Sequence, residues 1–374
     1  MARAWDEQGT IYFLKLEPRD GFVLPYYKMG FTKEDVHERI TKPQSHCVRM
    51  EHIMRQAVFY TFTFILLAPA FLNAANPQET LRSSIQKSIQ FVEAKGVYWI
   101  ESKSCVSCHR IGNMIWSLSA AKQKGLQVSD QLDEWINWSN TDVQRKKDNG
   151  EIIGHLNKTG VVQIIQTNTL AGTERASELT ETILPLILSD QNEDGSWKPG
   201  GQLPSQKRDK AETTQVTTMW IALALVQKTP NTEPPEQLSK ALQYIRDLPN
   251  GKSAEWYVVR SLLERAQGND EQAESQIAAL VAAQKEDGGW GWNLEEASDA
   301  LATGMALYAL SKANSSKEVA DSIASAQQFL ISTQQDDGSW KVNGTKINKR
   351  NAPIETSIYW GATWAVLGLS ETLP

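Results

Sequence analysis

Over the second half of the chain, apolar residues recur every three or four positions, the spacing of a helix with one buried face. The stretches come in pairs. A charged, amphipathic segment such as the one containing Ala326–Ser332 is followed by a nearly apolar segment rich in Ala, Gly and Thr. The apolar members are Thr214–Val226, Ala300–Ser311 and Ser357–Leu369. Nowhere is a period-two alternation sustained, so the pattern predicts an all-α protein. The charged helices suit an outer layer, and the small-residue helices suit an inner layer where backbones approach closely. Weaker copies are predicted upstream. Leu238–Ile245 and Ala254–Leu263 form one pair around Gly251. Ser84–Ala94 and Ile111–Gln123 form another, with Gly96-Val97-Tyr98-Trp99 as the turn. Leu132–Trp138 and Ala176–Leu188 read as a third pair joined by a polar stretch.

Between the strong pairs lies a repeated turn. Gln191–Trp197, Gln284–Trp290 and Gln334–Trp340 share Q-x-[ED]-D-G-[SG]-W, with the tryptophans 93 and 50 residues apart. Asp-Gly is a turn signal, because glycine accepts dihedrals that other residues avoid. The tryptophan adds a large apolar anchor whose N–H needs an acceptor, for which Gln and Asp are candidates. The longer gap is close to two periods, which fits the degenerate unit at 238–265. A helix–turn–helix unit of this size cannot bury its apolar face alone, so the units must stack.

These turns resemble the QW repeats of squalene-hopene cyclases and related terpenoid cyclases. The resemblance covers about residues 80–374 and is strongest over 185–374. It implies an (α/α) barrel, or toroid, of helix–turn–helix repeats with Q-x-x-D-G-x-W turns. It does not carry the chemistry with it. The D-x-D-D acid of those cyclases is missing, and the acidic pairs of this chain sit inside the turns. The aromatic lining of a cyclase cavity is also not evident beyond Trp220, Tyr308, Trp360 and Trp364. Glu212, Asp299 and Glu355, near the starts of inner helices, are the available acids, and charge of that sign suits a helix N-terminus. Prenyltransferase β-subunits, which share the toroid, use an Asp/Cys/His zinc site. That site cannot be built in its usual place, since no cysteine follows Cys108 and only His155 follows His109.

The N-terminal part changes the picture. Ala57–Phe71 is an uncharged apolar run, preceded by Arg55 and followed by Leu72-Asn73-Ala74-Ala75. That is the layout of a secretory signal peptide, and the run is short for a membrane span. We expect residues 50–75 to be the signal, with 1–49 an over-extended start or a cytoplasmic tail, and 76–374 the toroid domain. The product would be periplasmic or otherwise exported, and membrane-anchored if the segment is not cleaved. The 374 residues carry 38 Lys and Arg against 44 Asp and Glu, a net charge of -6. No basic block marks a nucleic-acid surface, and no nucleic-acid partner is expected.

Three cysteines exclude a disulfide scaffold. Two of them form Cys105-Val106-Ser107-Cys108-His109. C-x-x-C-H reads as a c-type haem attachment site. Two thiols three positions apart can each take one vinyl group of a porphyrin, and the next imidazole can bind the iron. Cys105, Cys108 and His109 are therefore expected to hold one covalent haem c, with His109 as proximal ligand. His155 is a candidate distal ligand, Met114 a weaker one, and Met219 and Met305 are core. A disulfide at C-x-x-C, or a zinc half-site, remains an alternative. The haem reading needs export and haem-ligation machinery. It leaves room for a redox partner protein and for an apolar small molecule in the cavity. Arg145-Lys146-Lys147 or Lys346–Arg350 could face such a partner or a haem propionate.

Overall fold

The structure, a computed structural model, describes residues 9–15, 27–32, 76–106, 110–200, 206–228, 234–349 and 351–374. The chain divides into two units, Met1–Leu72 and Asn73–Pro374. In the first, the described residues are two antiparallel strands, β1 (Gly9–Lys15) and β2 (Tyr27–Thr32), with Tyr12 opposite Gly30 and Leu14 opposite Lys28. The sequence reading expected no strand there. The run TIYFL in β1 is β-branched and aromatic, which favours a strand when another pairs with it. The predicted signal segment lies outside the described residues. Among the described residues, no helix is long and apolar enough to cross a membrane.

The second unit is helical. Its elements are α1 (Pro77–Lys103), α2 (Ile111–Gln123), α3 (Leu132–Asp142), α4 (Ile153–Leu156), α5 (Lys158–Ala171), α6 (Glu174–Leu188), α7 (Lys210–Lys228), α8 (Glu236–Arg246), α9 (Ala254–Ala266), α10 (Asp270–Ala283), α11 (Ala300–Ser311), α12 (Lys317–Thr333) and α13 (Glu355–Glu371). Six of them form a closed inner ring, in which α2 packs on α5, α5 on α7, α7 on α9, α9 on α11, α11 on α13, and α13 back on α2. The partner helices α1, α3, α6, α8, α10 and α12 form the outer layer. This is an (α/α) toroid with one barrel. Small residues allow the tight inner contacts. A Cβ on Gly304 would lie 2.5 Å from the Trp364 carbonyl carbon, and one on Gly368 would lie 2.4 Å from the Gly304 oxygen.

The repeated turns work as anchors, with one difference from expectation. The Nε2 of Gln191, Gln284 and Gln334 donates to the carbonyl of the turn glycine and to a carbonyl of a neighbouring outer helix, on Gln237, Ser322 and Ser84 respectively. Asp194, Asp287 and Asp337 accept from the backbone two residues on. The indole N–H groups, however, are not met by Gln or Asp. Trp197, Trp290 and Trp340 donate to the carbonyls of Ser189, Leu280 and Leu330, at the ends of the preceding outer helices. Gly338 has φ 86°, and a Cβ there would meet the Lys87 carbonyl at 2.3 Å. Only glycine fits, for conformation and for space. The Gln334–Ser84 pair joins the last turn to the first helix and closes the outer layer.

Two predicted boundaries move. Gly96–Trp99 is not a turn, because α1 continues to Lys103 and ends with Ser104 in the left-handed conformation. Gly96 is there for space, since a Cβ would run into the Met114 sulfur and the Tyr359 hydroxyl. The polar stretch between Leu132–Trp138 and Ala176–Leu188 contains α5, an inner helix. Those two flanking segments therefore both belong to the outer layer.

Candidate functional site

Each inner helix is reached from an outer one, so all six run the same way. Their N-termini meet at one mouth of the barrel. Thr159 of α5, Glu255 of α9, and Thr356 and Ser357 of α13 line it, with Arg208 just before α7 and Thr345 and Lys346 from the loop before α13. The mouth leads to an inner chamber walled by Trp116, Val162, Gln163, Trp220, Trp360 and Trp364. Trp116 lies edge-on to Trp220, Tyr308 and Trp364, with centroids 6.1, 5.4 and 5.4 Å apart. The free volume is about 20 Å³ at the mouth and about 10 Å³ in the chamber. That is room for a water in each. Of the four aromatics named from the sequence, Trp220, Trp360 and Trp364 line these spaces and Tyr308 packs on Trp116, and the rings fill the axis rather than enclose a large void.

One ion pair crosses the mouth. Arg208 Nη1 donates to Glu255 Oε2 at 2.6 Å, with side chains 1% and 5% exposed. Glu255 Oε1 accepts from Trp220 Nε1 at 2.9 Å, and the guanidinium lies 5.1 Å from the Trp292 ring. Held between a guanidinium and an indole, both Glu255 oxygens act as acceptors. Sequence reasoning missed this pair. Its signal was two opposite charges, one just before α7 and one in the first turn of α9, 47 residues apart.

The three acids singled out from the sequence have structural partners. Glu212 accepts from the backbone N–H and hydroxyl of Ser253, fixing the entry to α9. Glu355 pairs with Arg110. Asp299 is the N-cap of α11, accepting from Ala302 N at 2.9 Å and Trp292 N at 3.2 Å. Burial pushes its carboxyl up to about 6, against the lowering by those backbone donors and Lys207. A folded-state value raised above the unfolded one gives stability that is full below about pH 4 and lost as pH rises through about 6. An Asp299→Asn variant should therefore gain on the parent between pH 4.5 and 7. Urea midpoints at the two pH values measure this, and a gain in the opposite direction would refute it.

The C-x-x-C-H segment follows α1 and precedes α2 in the chain. Ser107, Cys108 and His109 lie outside the described residues. Both flanks are described, and both are fastened. Upstream, Trp99 Nε1 donates to Cys105 O at 3.0 Å, Arg145 Nη2 to Ser104 O at 2.8 Å, and Asn157 Nδ2 to Val106 O at 3.3 Å. Val106 N donates to Asp142 Oδ2 at 3.1 Å. Downstream, Arg110 is buried. Its guanidinium lies 4.5 Å from the Trp99 ring and 4.8 Å from the Tyr359 ring, and it pairs with Glu355 at the start of α13. Cys105 is a free thiol, half-buried. Burial and then Asp142 push its pKa up, while Arg145 and Lys147 pull it down.

His155 sits on α4, two residues from Asn157 and hence close along the chain to the contact with Val106. It is half-buried. Met114, Met219 and Met305 are fully buried in inner helices, which agrees with a core role for the last two. Among the described residues, no three His, Cys, Asp or Glu side chains are grouped to hold a metal.

The barrel has solved counterparts. A polysaccharide lyase aligns over 78% of this chain and 97% of its own, with a TM-score of 0.52 and 13% identity. An unsaturated glucuronyl hydrolase from Bacillus sp. GL1 aligns over 79% and 96%, with a TM-score of 0.52 and 13% identity. The type II terpene cyclase MstE from Scytonema, solved with geranylgeranyl dihydroxybenzoate, aligns over 80% and 99%, with a TM-score of 0.50 and 14% identity. The shared property is the fold. A lyase, a hydrolase and a cyclase share it, so the likeness selects no chemistry. No family model matches the sequence, and no curated protein does.

Proposed function

We propose that the protein is an exported c-type haem carrier, with one haem c joined to Cys105 and Cys108 at the mouth of the toroid and His109 as its proximal ligand. The observation that carries this reading is the fastening of both flanks of the motif to the barrel. A covalently held group needs its attachment points fixed, and here six side chains from α1, α3, the loop after α3, α13 and the α4–α5 junction do so.

The Cys105 thiol fits the role. A thioether forms when S–H adds across a vinyl group, the sulfur to one carbon and the hydrogen to the other, with no oxidant needed. A raised pKa keeps Cys105 in the S–H form. A zinc half-site requires thiolates, and burial beside Asp142 works against them. When bound, haem supplies a one-electron couple at iron. His155 is the proposed distal ligand, since α4 is tied through Asn157 to the same segment. Arg145 and Lys147 are the cations nearest to hand for a propionate or a redox partner protein.

The fold shared with a terpene cyclase supports a second reading, a divergent isoprenoid cyclase. It lacks a free acid in the chamber, because Glu255 is engaged by Arg208 and Trp220. A haem-free scaffold is the third reading, and it requires exported protein without the adduct.

The test is a pyridine haemochrome spectrum with intact mass, on protein exported from a host with cytochrome c maturation machinery. The expected result is one covalent haem per chain, abolished by joint Cys105→Ser and Cys108→Ser substitution. Fully exported protein without an adduct would overturn the reading.

A further inference from the structure

We infer that the mouth and inner chamber form a binding site for a small carboxylate, independently of any haem. The argument starts from hydrogen-bonding groups that the protein leaves unmatched. Among the described residues, the buried indole N–H groups of Trp292, Trp360 and Trp364 and the Nε–H of Arg208 have no partner. All four side chains are more than nine-tenths buried.

They are also neighbours. Trp360 and Trp364 are four residues apart on α13 and so share one helix face, and both line the chamber. Trp292 lies 5.3 Å from Trp360, centroid to centroid, and the Arg208 guanidinium lies 5.1 Å from Trp292. Buried polar groups are rarely left unpaired, and each orphan is costly. Trp292 lies behind the mouth and chamber, but Trp360, Trp364 and Arg208 line them, and three orphans around one void call for an occupant.

The balance of donors and acceptors selects that occupant. Against the three unmatched donors of Arg208, Trp360 and Trp364 around the mouth and chamber, the chamber lining offers one unmatched acceptor, Gln163 Oε1. Water brings as many hydrogens as lone pairs, so filling the site with water adds donors to a place already rich in them. A carboxylate accepts only. Charge agrees, since the mouth is lined by two cations, Arg208 and Lys346, and one carboxylate, Glu255, both of whose oxygens are engaged. Size sets a limit. The two spaces adjoin through Thr159, Trp220, Glu255 and Trp360, and together they match about two waters, which suits the smallest carboxylate and excludes a long apolar chain in this arrangement. The occupant therefore differs from the apolar molecule that the aromatic lining alone suggests.

The experiment uses the full exported protein and sodium formate, the smallest carboxylate, with formamide as a neutral analogue of the same shape and sodium chloride matching ionic strength. Tryptophan fluorescence and thermal midpoint are followed. A ligand that binds only the folded state raises the midpoint saturably. Formate is expected to do so, formamide and chloride are not. Trp360→Phe and Trp364→Phe keep a ring and remove the N–H, and each should weaken formate about tenfold, the effect of losing one charge-assisted hydrogen bond. The proposal fails if formate gives no saturable change, if formamide matches it, or if both Phe variants bind formate as the parent does. Should the variants not fold, crystals of the parent soaked in formate decide. Density for formate against the indole N–H groups supports the site, and ordered water alone refutes it.

Discussion

Trp340→Ala is expected to cost about 3–5 kcal/mol, the usual loss for truncating a large buried aromatic side chain. Trp340 is fully buried, and its N–H is spent on the Leu330 carbonyl at 2.8 Å. Truncation therefore empties a cavity and orphans a carbonyl at the end of α12. The same turn carries Gln334, which holds Ser84 of α1, so the damage falls where the outer layer closes. Since domains of this kind are stable by only about 5–15 kcal/mol, the variant should unfold at far lower urea. An unchanged slope and a lower midpoint mark a pure stability loss. Lys341→Ala, exposed next door, is the control and should change little. A loss below about 1 kcal/mol at Trp340 would mean that the turn is not an anchor.

The second large effect is expected at the mouth. Arg208→Met removes one partner of the buried pair and leaves the Glu255 carboxylate enclosed, with only the Trp220 N–H against it. Breaking such a pair costs about 3–5 kcal/mol, whereas replacing both partners by apolar groups is often close to neutral. The double variant Arg208→Met with Glu255→Leu should therefore be more stable than Arg208→Met alone, although it frees the Trp220 N–H. A double-mutant cycle from urea unfolding measures the coupling. If the two single losses simply add, the pair is not coupled, and its place across the mouth is incidental.

The sequence made the barrel legible where physics repeats. Trp197, Trp290 and Trp340 follow a glycine that must turn, so spacing alone located three turns and the inner helices after them. It failed where a helix hides its periodicity. In α5, Gln163, Gln166, Thr167 and Asn168 are all buried. The side chains of the last three are satisfied by their neighbours. Gln166 donates to Gln227, Asn168 exchanges hydrogen bonds with Asn140, and Thr167 donates to the Gln163 carbonyl. An inner helix that meets its neighbours through amides reads as a loop. Gly96 misled for the opposite reason, since a glycine kept for space looks like one kept for conformation. Of the site, the Cys105 segment and the aromatics Trp220, Tyr308, Trp360 and Trp364 could be named in advance. Arg208, Glu255 and Arg110 could not, because their roles arise from pairings 47 and 245 residues apart.

Ring closure also sets an order of events in synthesis. The Gln334–Ser84 contact spans 250 residues, and such distant contacts form late because the loop between them must first be ordered. The segment with Cys105 emerges long before α13, whose Glu355 and Tyr359 close over Arg110. At ordinary elongation rates that interval is roughly ten to fifty seconds. Until α13 is made, Arg110 has neither its Glu355 partner nor the Tyr359 ring, so the fastening downstream of Cys105 is among the last parts of the ring to form.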